Sequence, residues 1–166
     1  MTVASPEILY AADLEEGSEA ILAYAISVAN RLGAKLHVVI GIPDLRETSL
    51  IEVDSHVPQD LLDKYHDDRA KRAKKHVEDQ IHAFYAVRMD APARPIHEVT
   101  VREGDDIGGL VLDQAKKVEA DLIIMASRGE GALSALLFGS VVQDVVRETT
   151  IPVLLVPMSR YAGDEA

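Results

Sequence analysis

The sequence predicts an α/β fold in which an open, five-stranded parallel sheet carries helices on both faces. Apolar segments rich in β-branched residues alternate along the chain with segments whose apolar residues recur every three or four positions. This pattern is typical of strands that alternate with amphipathic helices. The strand segments are also continuously apolar, which indicates strands buried between two layers of helices.

The predicted elements follow one another in strictly alternating order. The strands cover residues 8–12, 36–42, 96–101, 122–126 and 151–156. The helices cover residues 18–32, 59–84 and 107–118, and a fourth begins near residue 140. Gly33 and Pro43 stand where the first helix and the second strand should end. Asp105 and Asp106 suit the positive amino end of the third helix.

The length of 166 residues predicts one domain, residues 1–166, because domains usually hold about 100–200 residues. Residues 44–60 have no steady period and are punctuated by Pro43 and Pro58, which favours a surface loop. Residues 1–5 and 159–166 are expected to be flexible tails.

Composition excludes several classes of function. The chain has no Cys, so disulfides, thiolate nucleophiles and Cys-ligated metals are excluded. A net charge of -11 argues against nucleic acid and anionic membranes as partners. The longest run free of charged residues, 131–143, is shorter than the ~20 residues that span a bilayer, so no membrane insertion is expected. The first residues resemble no secretory signal, and the expected location is the cytoplasm.

A glycine-rich segment directly follows the fourth strand. It reads Met125-Ala126-Ser127-Arg128-Gly129-Glu130-Gly131, and Gly139-Ser140 opens the next helix after a nine-residue spacer from Gly129. Free N–H groups at that helix end, with the Ser140 hydroxyl, can bind an anion. Ligands of such sheets bind beyond the carboxyl ends of the strands, which also selects Asp13 and Gly41. The alternative is that the glycines only form turns.

Three related motifs are absent. A Walker A loop needs a lysine, which Gly139-Ser140 lacks. A dinucleotide fingerprint fails because residues 129–134 lack the last glycine and follow the fourth strand. A nucleophile elbow at Ser127 would need a later histidine, whereas the last histidine is His97.

No residue near the motif has the pattern of a catalytic nucleophile or base, so no catalytic residue is predicted. We interpret Asp13 as a turn cap or a ligand contact rather than a base that orients water. His66, His76 and His82 lie on the long polar helix without the i, i+4 spacing of helical zinc sites. They are interpreted as solvated surface, and no metal site is predicted. The basic run 71–75 is flanked by acidic residues, which favours a charge-paired helix face.

Together these segments resemble the universal stress protein family over nearly the whole chain. The resemblance rests on Ile8-Leu9-Tyr10-Ala11-Ala12-Asp13, Val101-Arg102-Glu103-Gly104-Asp105, Ala120-Asp121-Leu122-Ile123-Ile124-Met125 and Ile151-Pro152-Val153-Leu154-Leu155-Val156-Pro157. The family's nucleotide motif is Gly, two residues, Gly, nine residues, Gly, then Ser or Thr. Here it reads Ala126, two residues, Gly129, nine residues, Gly139, Ser140. The resemblance implies a Rossmann-like sheet with strand order 3-2-1-4-5.

The resemblance also implies an adenine-nucleotide site. Asp13 and the backbone of Gly41 would hold adenine and ribose, and Ala126 and Gly129 would line the phosphate loop. Phosphates would be bound by Gly139, Ser140 and Val141. The remaining predicted site residues are Ala11, Met125 and Arg128. The expected ligand is ATP, or AMP or ADP, with Mg²⁺.

Two residues depart from the family's pattern. Ala126 replaces the first glycine of the motif, which adds a methyl group where the ligand is expected to lie closest. Glu130 stands where the family usually has Arg or Lys, and a carboxylate beside phosphates is unfavourable unless it turns away or meets a Mg²⁺ ion.

The last strand is expected at an edge of the sheet, where unpaired backbone invites pairing. The resemblance implies a homodimer in which Val153, Leu154, Leu155 and Val156 pair with a second subunit. The predicted function is an ATP-binding stress regulator that acts through nucleotide-dependent dimer or partner contacts. A nucleotide-free interaction protein of the same fold and a slow ATP hydrolase remain as alternatives.

Overall fold

A computed structural model describes residues 4–44, 58–88, 94–127 and 139–158. The strands β1 to β5 are Glu7–Ala12, Lys35–Ile42, Ile96–Glu103, Leu122–Ser127 and Val153–Pro157. The helices α1 to α4 are Ser18–Leu32, Gln59–Ala86, Ile107–Lys117 and Ser140–Glu148. The order of the predicted elements is therefore confirmed.

Two predicted strand boundaries, the end of β3 and the start of β5, are wrong by two residues, and the others differ from the observed ones by at most one. β3 continues to Glu103 because its pairing with β2 runs on to the Ile42–Glu103 pair. β5 begins two residues later than predicted. Its expected first residue, Ile151, lies in a turn in which its N–H donates to the Thr149 hydroxyl at 2.9 Å.

All five strands are parallel and lie in the order β3-β2-β1-β4-β5, as predicted. The first two crossovers run from β1 towards β3, and the next two return to β4 and β5 on the other side. The winding therefore reverses between β1 and β4, and a ligand crevice is expected beyond their carboxyl ends. β3 and β5 are the edge strands, which confirms the predicted position of the last strand.

The core has two layers because successive strand residues point to opposite faces of the sheet. Ile8, Tyr10 and Ile124 pack with the apolar side of α1 and α2. Leu9, Ile123 and Met125 pack with α3 and α4. We call these the α1–α2 face and the α3–α4 face. Helices therefore cover both faces, as the continuously apolar strands predict.

The loop predicted at 44–60 and the tails predicted at 1–5 and 159–166 fall largely outside the described residues. Gln59 and Asp60, where the predicted loop and the predicted helix overlap, belong to α2. The charge-paired face predicted on α2 is confirmed by ion pairs such as Lys75–Asp79, at 2.6 Å. Within the described ranges, none of the helices has the length and apolarity needed to cross a membrane.

Candidate functional site

Asp13 lies directly beyond the carboxyl end of β1, at the reversal of the winding. It is half-buried, and its Oδ1 accepts a hydrogen bond from the Glu15 N–H at 3.1 Å. The bond forms an Asx-type turn, which matches the interpretation of Asp13 as a turn cap. Two residues before β1 ends, Tyr10 lies fully buried, and burial raises the pKa of its hydroxyl.

Ala11 and Met125 are partners in the β1–β4 register, so the two predicted site residues lie side by side. Met125 belongs to the core of the α3–α4 face, and Ala11 and Val141 are half-buried against the same cluster. The structure thus brings three of the predicted residues together on one side of the sheet.

Ala126, by contrast, packs against the cluster of the α1–α2 face. Its methyl group therefore points away from the side on which Ala11 and Met125 lie, as expected for the residue after Met125 in a strand. The departure from the family's glycine adds no side-chain atom on the α3–α4 face.

Gly41 lies near the carboxyl end of β2, where the amino end of α3 packs closely over it. A Cβ atom at this position would lie only 2.6 Å from Cγ2 of Ile107. Pairing between β1 and β2 stops at Ala12 and Ile40, so the backbone edge of Gly41 that faces β1 lies beyond the last pair. Because glycine has no side chain, a ligand contact at Gly41 would be made by its backbone.

The amino end of α4 begins at a residue that has no side chain to cap it. Gly139 is the N-cap, and no side-chain cap bond is formed there within the described ranges. The hydrogen bond from the Gln143 N–H to the Gly139 carbonyl, 3.1 Å long, starts the helical ladder. The N–H groups of Ser140, Val141 and Val142 therefore have no partner inside the helix.

The amino end of α3 differs in this respect. The carboxylate of Asp106 caps it by accepting the Gly109 N–H at 2.8 Å, as the acidic pair predicts. Since a negative group already satisfies that helix end, α4 is the better anion site of the two.

The predicted site residues Arg128 and Gly129 lie outside the described residues, as does Glu130, which departs from the family's pattern. Their proposed contacts rest on the sequence alone.

The interpretation of all three helix histidines as solvated surface is wrong for His66. Its side chain is only 6% exposed, and its Nδ1 lies 2.8 Å from Oε1 of Glu103. His76 and His82 are exposed, as predicted. The sequence does hold a signal for this burial, because His66 fills the gap between Leu62 and Ala70 in the apolar stripe of α2.

The fold and the open helix end define a doubly wound α/β protein with a candidate ligand crevice at its switch point. The sequence model of the Universal stress protein family matches residues 6–157, and the chain belongs to this family.

The similarity to known relatives extends over almost the whole chain. "Universal stress protein YxiE" of Bacillus subtilis is 25% identical over 151 residues, which cover 90% of this chain and 97% of the relative. The structure of universal stress protein UspA from Lactobacillus plantarum superposes with a TM-score of 0.66 at 19% identity, covering 93% of this chain and 99% of that one. A universal stress protein in complex with cAMP superposes with a TM-score of 0.62 at 18% identity, covering 94% and 99%.

Proposed function

We propose that this protein binds an adenine nucleotide, ATP foremost, in the crevice between β1 and β4, and that binding regulates its contacts in a stress response. The observation that carries the proposal is the open amino end of α4. Its first N–H groups lie beside the switch point and are capped by no side chain within the described residues. Such groups bind phosphate with the helix dipole behind them.

The surrounding residues support the same ligand. Asp13 and the backbone edge of Gly41 border the crevice on the β1 and β2 side, where they would contact ribose and adenine. Ala11, Met125 and Val141 supply an apolar wall on the α3–α4 face. Arg128 and Gly129, which the sequence adds to the site, would complete the phosphate loop. The family membership and the structural neighbour in complex with cAMP favour an adenine nucleotide over other anions.

The net charge of -11 favours the Mg²⁺ complex of ATP over the free tetra-anion. Backbone N–H groups at one helix end act at short range, since charges beyond about 8 Å are screened at physiological salt. Mg²⁺ lowers the charge that the acidic protein must accept. We therefore expect tighter binding of ATP with Mg²⁺ than with a chelator present.

The structure offers a sharp test at Ser140. A Ser140→Pro variant removes one N–H group and the hydroxyl while keeping the helix, because proline fits the first helical position. Gly139 already has the extended backbone, φ -53° and ψ 155°, that a residue before proline requires. The matched control Ser140→Ala removes the hydroxyl alone.

Calorimetric titration with MgATP is expected to show saturable binding to the wild type. Each hydrogen bond to a charged phosphate contributes about 1.5–3 kcal/mol, so Ser140→Pro, which removes two such donors, should weaken binding by about 100- to 10,000-fold. Ser140→Ala should weaken it less. The proposal is refuted if the folded wild type gives no binding heat. The hypothesis that then remains is a nucleotide-free interaction protein of the same fold. Chemical analysis of the nucleotide after incubation with the protein for several hours distinguishes binding from slow hydrolysis.

We further propose that the protein forms a homodimer through β5. This strand lies at the open edge of the sheet, and an apolar groove of about 300 Å³ lies beside it, lined by Leu155 and by Val142 and Val146 of α4. Val146 is 49% exposed. Pairing of residues 153–156 with their copies would satisfy the strand edge and cover this groove.

Light scattering tests the dimer. The wild type is expected to have twice the chain mass. Val146→Glu places a charge in the groove at an exposed position, so it should favour the monomer without unfolding the protein. A wild type that stays monomeric at high concentration rules the dimer out.

A further inference from the structure

Three side chains able to bind metal lie close together at the carboxyl end of the edge strand β3. Asp44 follows β2, His66 lies near the start of α2, and Glu103 ends β3. One ligand atom from each lies within 4.8 Å of the other two. The Asp44 N–H also donates to the Gly104 carbonyl at 3.4 Å, and the Gly104 N–H donates to the Ile42 carbonyl at 3.1 Å. These hydrogen bonds therefore fix the backbone from which the Asp44 and Glu103 side chains extend.

The imidazole at the centre of this cluster is buried although its helix is polar. The other buried residues of α2 are the apolar Ala73 and Val77. His66 holds a core-facing position of the same stripe, and its Nδ1 lies 2.8 Å from Oε1 of Glu103. Glu103 is itself only 19% exposed at its side chain. The nitrogen is therefore aimed at the carboxylates, away from bulk water.

One imidazole nitrogen and two carboxylates suit Zn²⁺ and similar transition metals, whereas Mg²⁺ and Ca²⁺ prefer oxygen ligands alone. Ligand atoms around a tetrahedral zinc lie about 3.4 Å apart. The His66–Glu103 distance of 2.8 Å thus has to open by about 0.6 Å. Asp44, within 4.8 Å of both, has to approach by at most about 1.4 Å. Three protein ligands leave the fourth position for water.

A cation already lies beside the cluster. The Arg69 guanidinium is 3.5 Å from Oε1 of Glu103, and it donates a hydrogen bond to the Pro43 carbonyl at 3.2 Å. Arg69 therefore competes with a metal ion for the same carboxylate. Its presence gives the cluster a testable property, because removing a competing charge strengthens metal binding, whereas it only weakens an ion-pair network.

We infer that Asp44, His66 and Glu103 form a binding site for Zn²⁺ or a similar transition-metal ion, with Arg69 as the competing cation. The site lies at the ends of β2 and β3, next to α2. The proposed nucleotide crevice lies between β1 and β4, towards α3 and α4. The inference therefore holds whether or not the protein binds ATP.

The experiment uses the untagged full chain, freed of metal with a chelator and dialysed. Zn²⁺ is titrated against a chromophoric chelator, and Co²⁺ absorption reports the ligand geometry. His66→Gln and Glu103→Gln remove ligands, and Arg69→Gln removes the competitor. His76→Gln is the matched control, because it removes an exposed histidine from the same helix. Circular dichroism verifies that each variant is folded.

We expect one Zn²⁺ per wild-type chain. Affinity should fall by more than about tenfold in each ligand variant, rise in Arg69→Gln, and stay unchanged in His76→Gln. If His66→Gln does not fold, Glu103→Gln carries the test. The inference is overturned if the wild type does not outcompete the chelator, if a folded ligand variant keeps wild-type affinity, or if His76→Gln loses as much affinity as Glu103→Gln. It is also overturned if Arg69→Gln lowers the affinity.

Discussion

Replacing Gly41 with alanine should destabilise the protein through a single close approach. The added Cβ would lie 2.6 Å from Cγ2 of Ile107, whereas carbon atoms in contact prefer about 3.5–4.0 Å. The amino end of α3 must therefore shift by about 1 Å. Overpacking of this kind costs about 1–3 kcal/mol, which lowers the melting temperature of a chain of this size by about 2–12 °C.

The assay is urea unfolding followed by circular dichroism, with thermal unfolding as a second measurement. Gly104→Ala is the matched control, because its Cβ would meet only the end of the flexible Leu110 side chain, at 3.3 Å. We expect a smaller loss of stability there.

A double-mutant cycle isolates the contact. Ile107→Ala removes Cγ2 and leaves only Cβ, at 3.7 Å from the added atom, which is an ordinary contact distance. In that background Gly41→Ala should cost much less, with a coupling energy of about 1–3 kcal/mol. The reasoning fails if Gly41→Ala unfolds at the same urea concentration as the wild type, or if the coupling energy is zero.

Three further predictions concern stability and ionisation. Partial burial alone would raise the pKa of Glu7, but hydrogen bonds and charge from Lys35 and His37 outweigh it and hold the pKa below 4.5. The Glu7 carboxylate therefore adds stability above that pH, and urea unfolding should show that the loss caused by Glu7→Gln shrinks as pH falls through the lowered pKa. Asp106→Ala should cost about 1 kcal/mol in urea unfolding because it removes the cap of α3, whereas Asp106→Asn should keep most of that stability. Because burial raises the pKa of Tyr10, an ultraviolet titration of Tyr10→Phe should match the wild type until the pH at which the protein unfolds.

Local patterns were sufficient to predict the fold class and the order of the elements, whereas the strand order came from the family resemblance. Local patterns failed where distant segments meet. Continuous apolar strands and spaced apolar helix positions depend on neighbouring residues, so the element order followed from them. The end of β3 depends on its pairing with β2, and the polar pair Arg102-Glu103 gave no local sign of it. The apolar stripe of α2 does indicate a core-facing position for His66, but its contact with Glu103, which is 37 residues away, depends on the fold.

The candidate site, too, could be predicted from the sequence only in part. Spacing and the switch-point rule were enough to select Asp13, Gly41 and Ser140, because helix ends and strand ends are local features. The close packing of Ile107 on Gly41 and the direction of the Ala126 methyl group could not be read from the sequence. Both depend on which face of the sheet each helix covers.

The most direct test of nucleotide binding compares ATP with adenosine in calorimetric titrations of the wild type, both with Mg²⁺. The two ligands differ only in the phosphates that the amino end of α4 is proposed to hold. We expect one ATP site per chain and an affinity for ATP more than about tenfold above that for adenosine, since each hydrogen bond to phosphate contributes about 1.5–3 kcal/mol. Equal affinities for the two, or no binding of ATP by the folded protein, would contradict it.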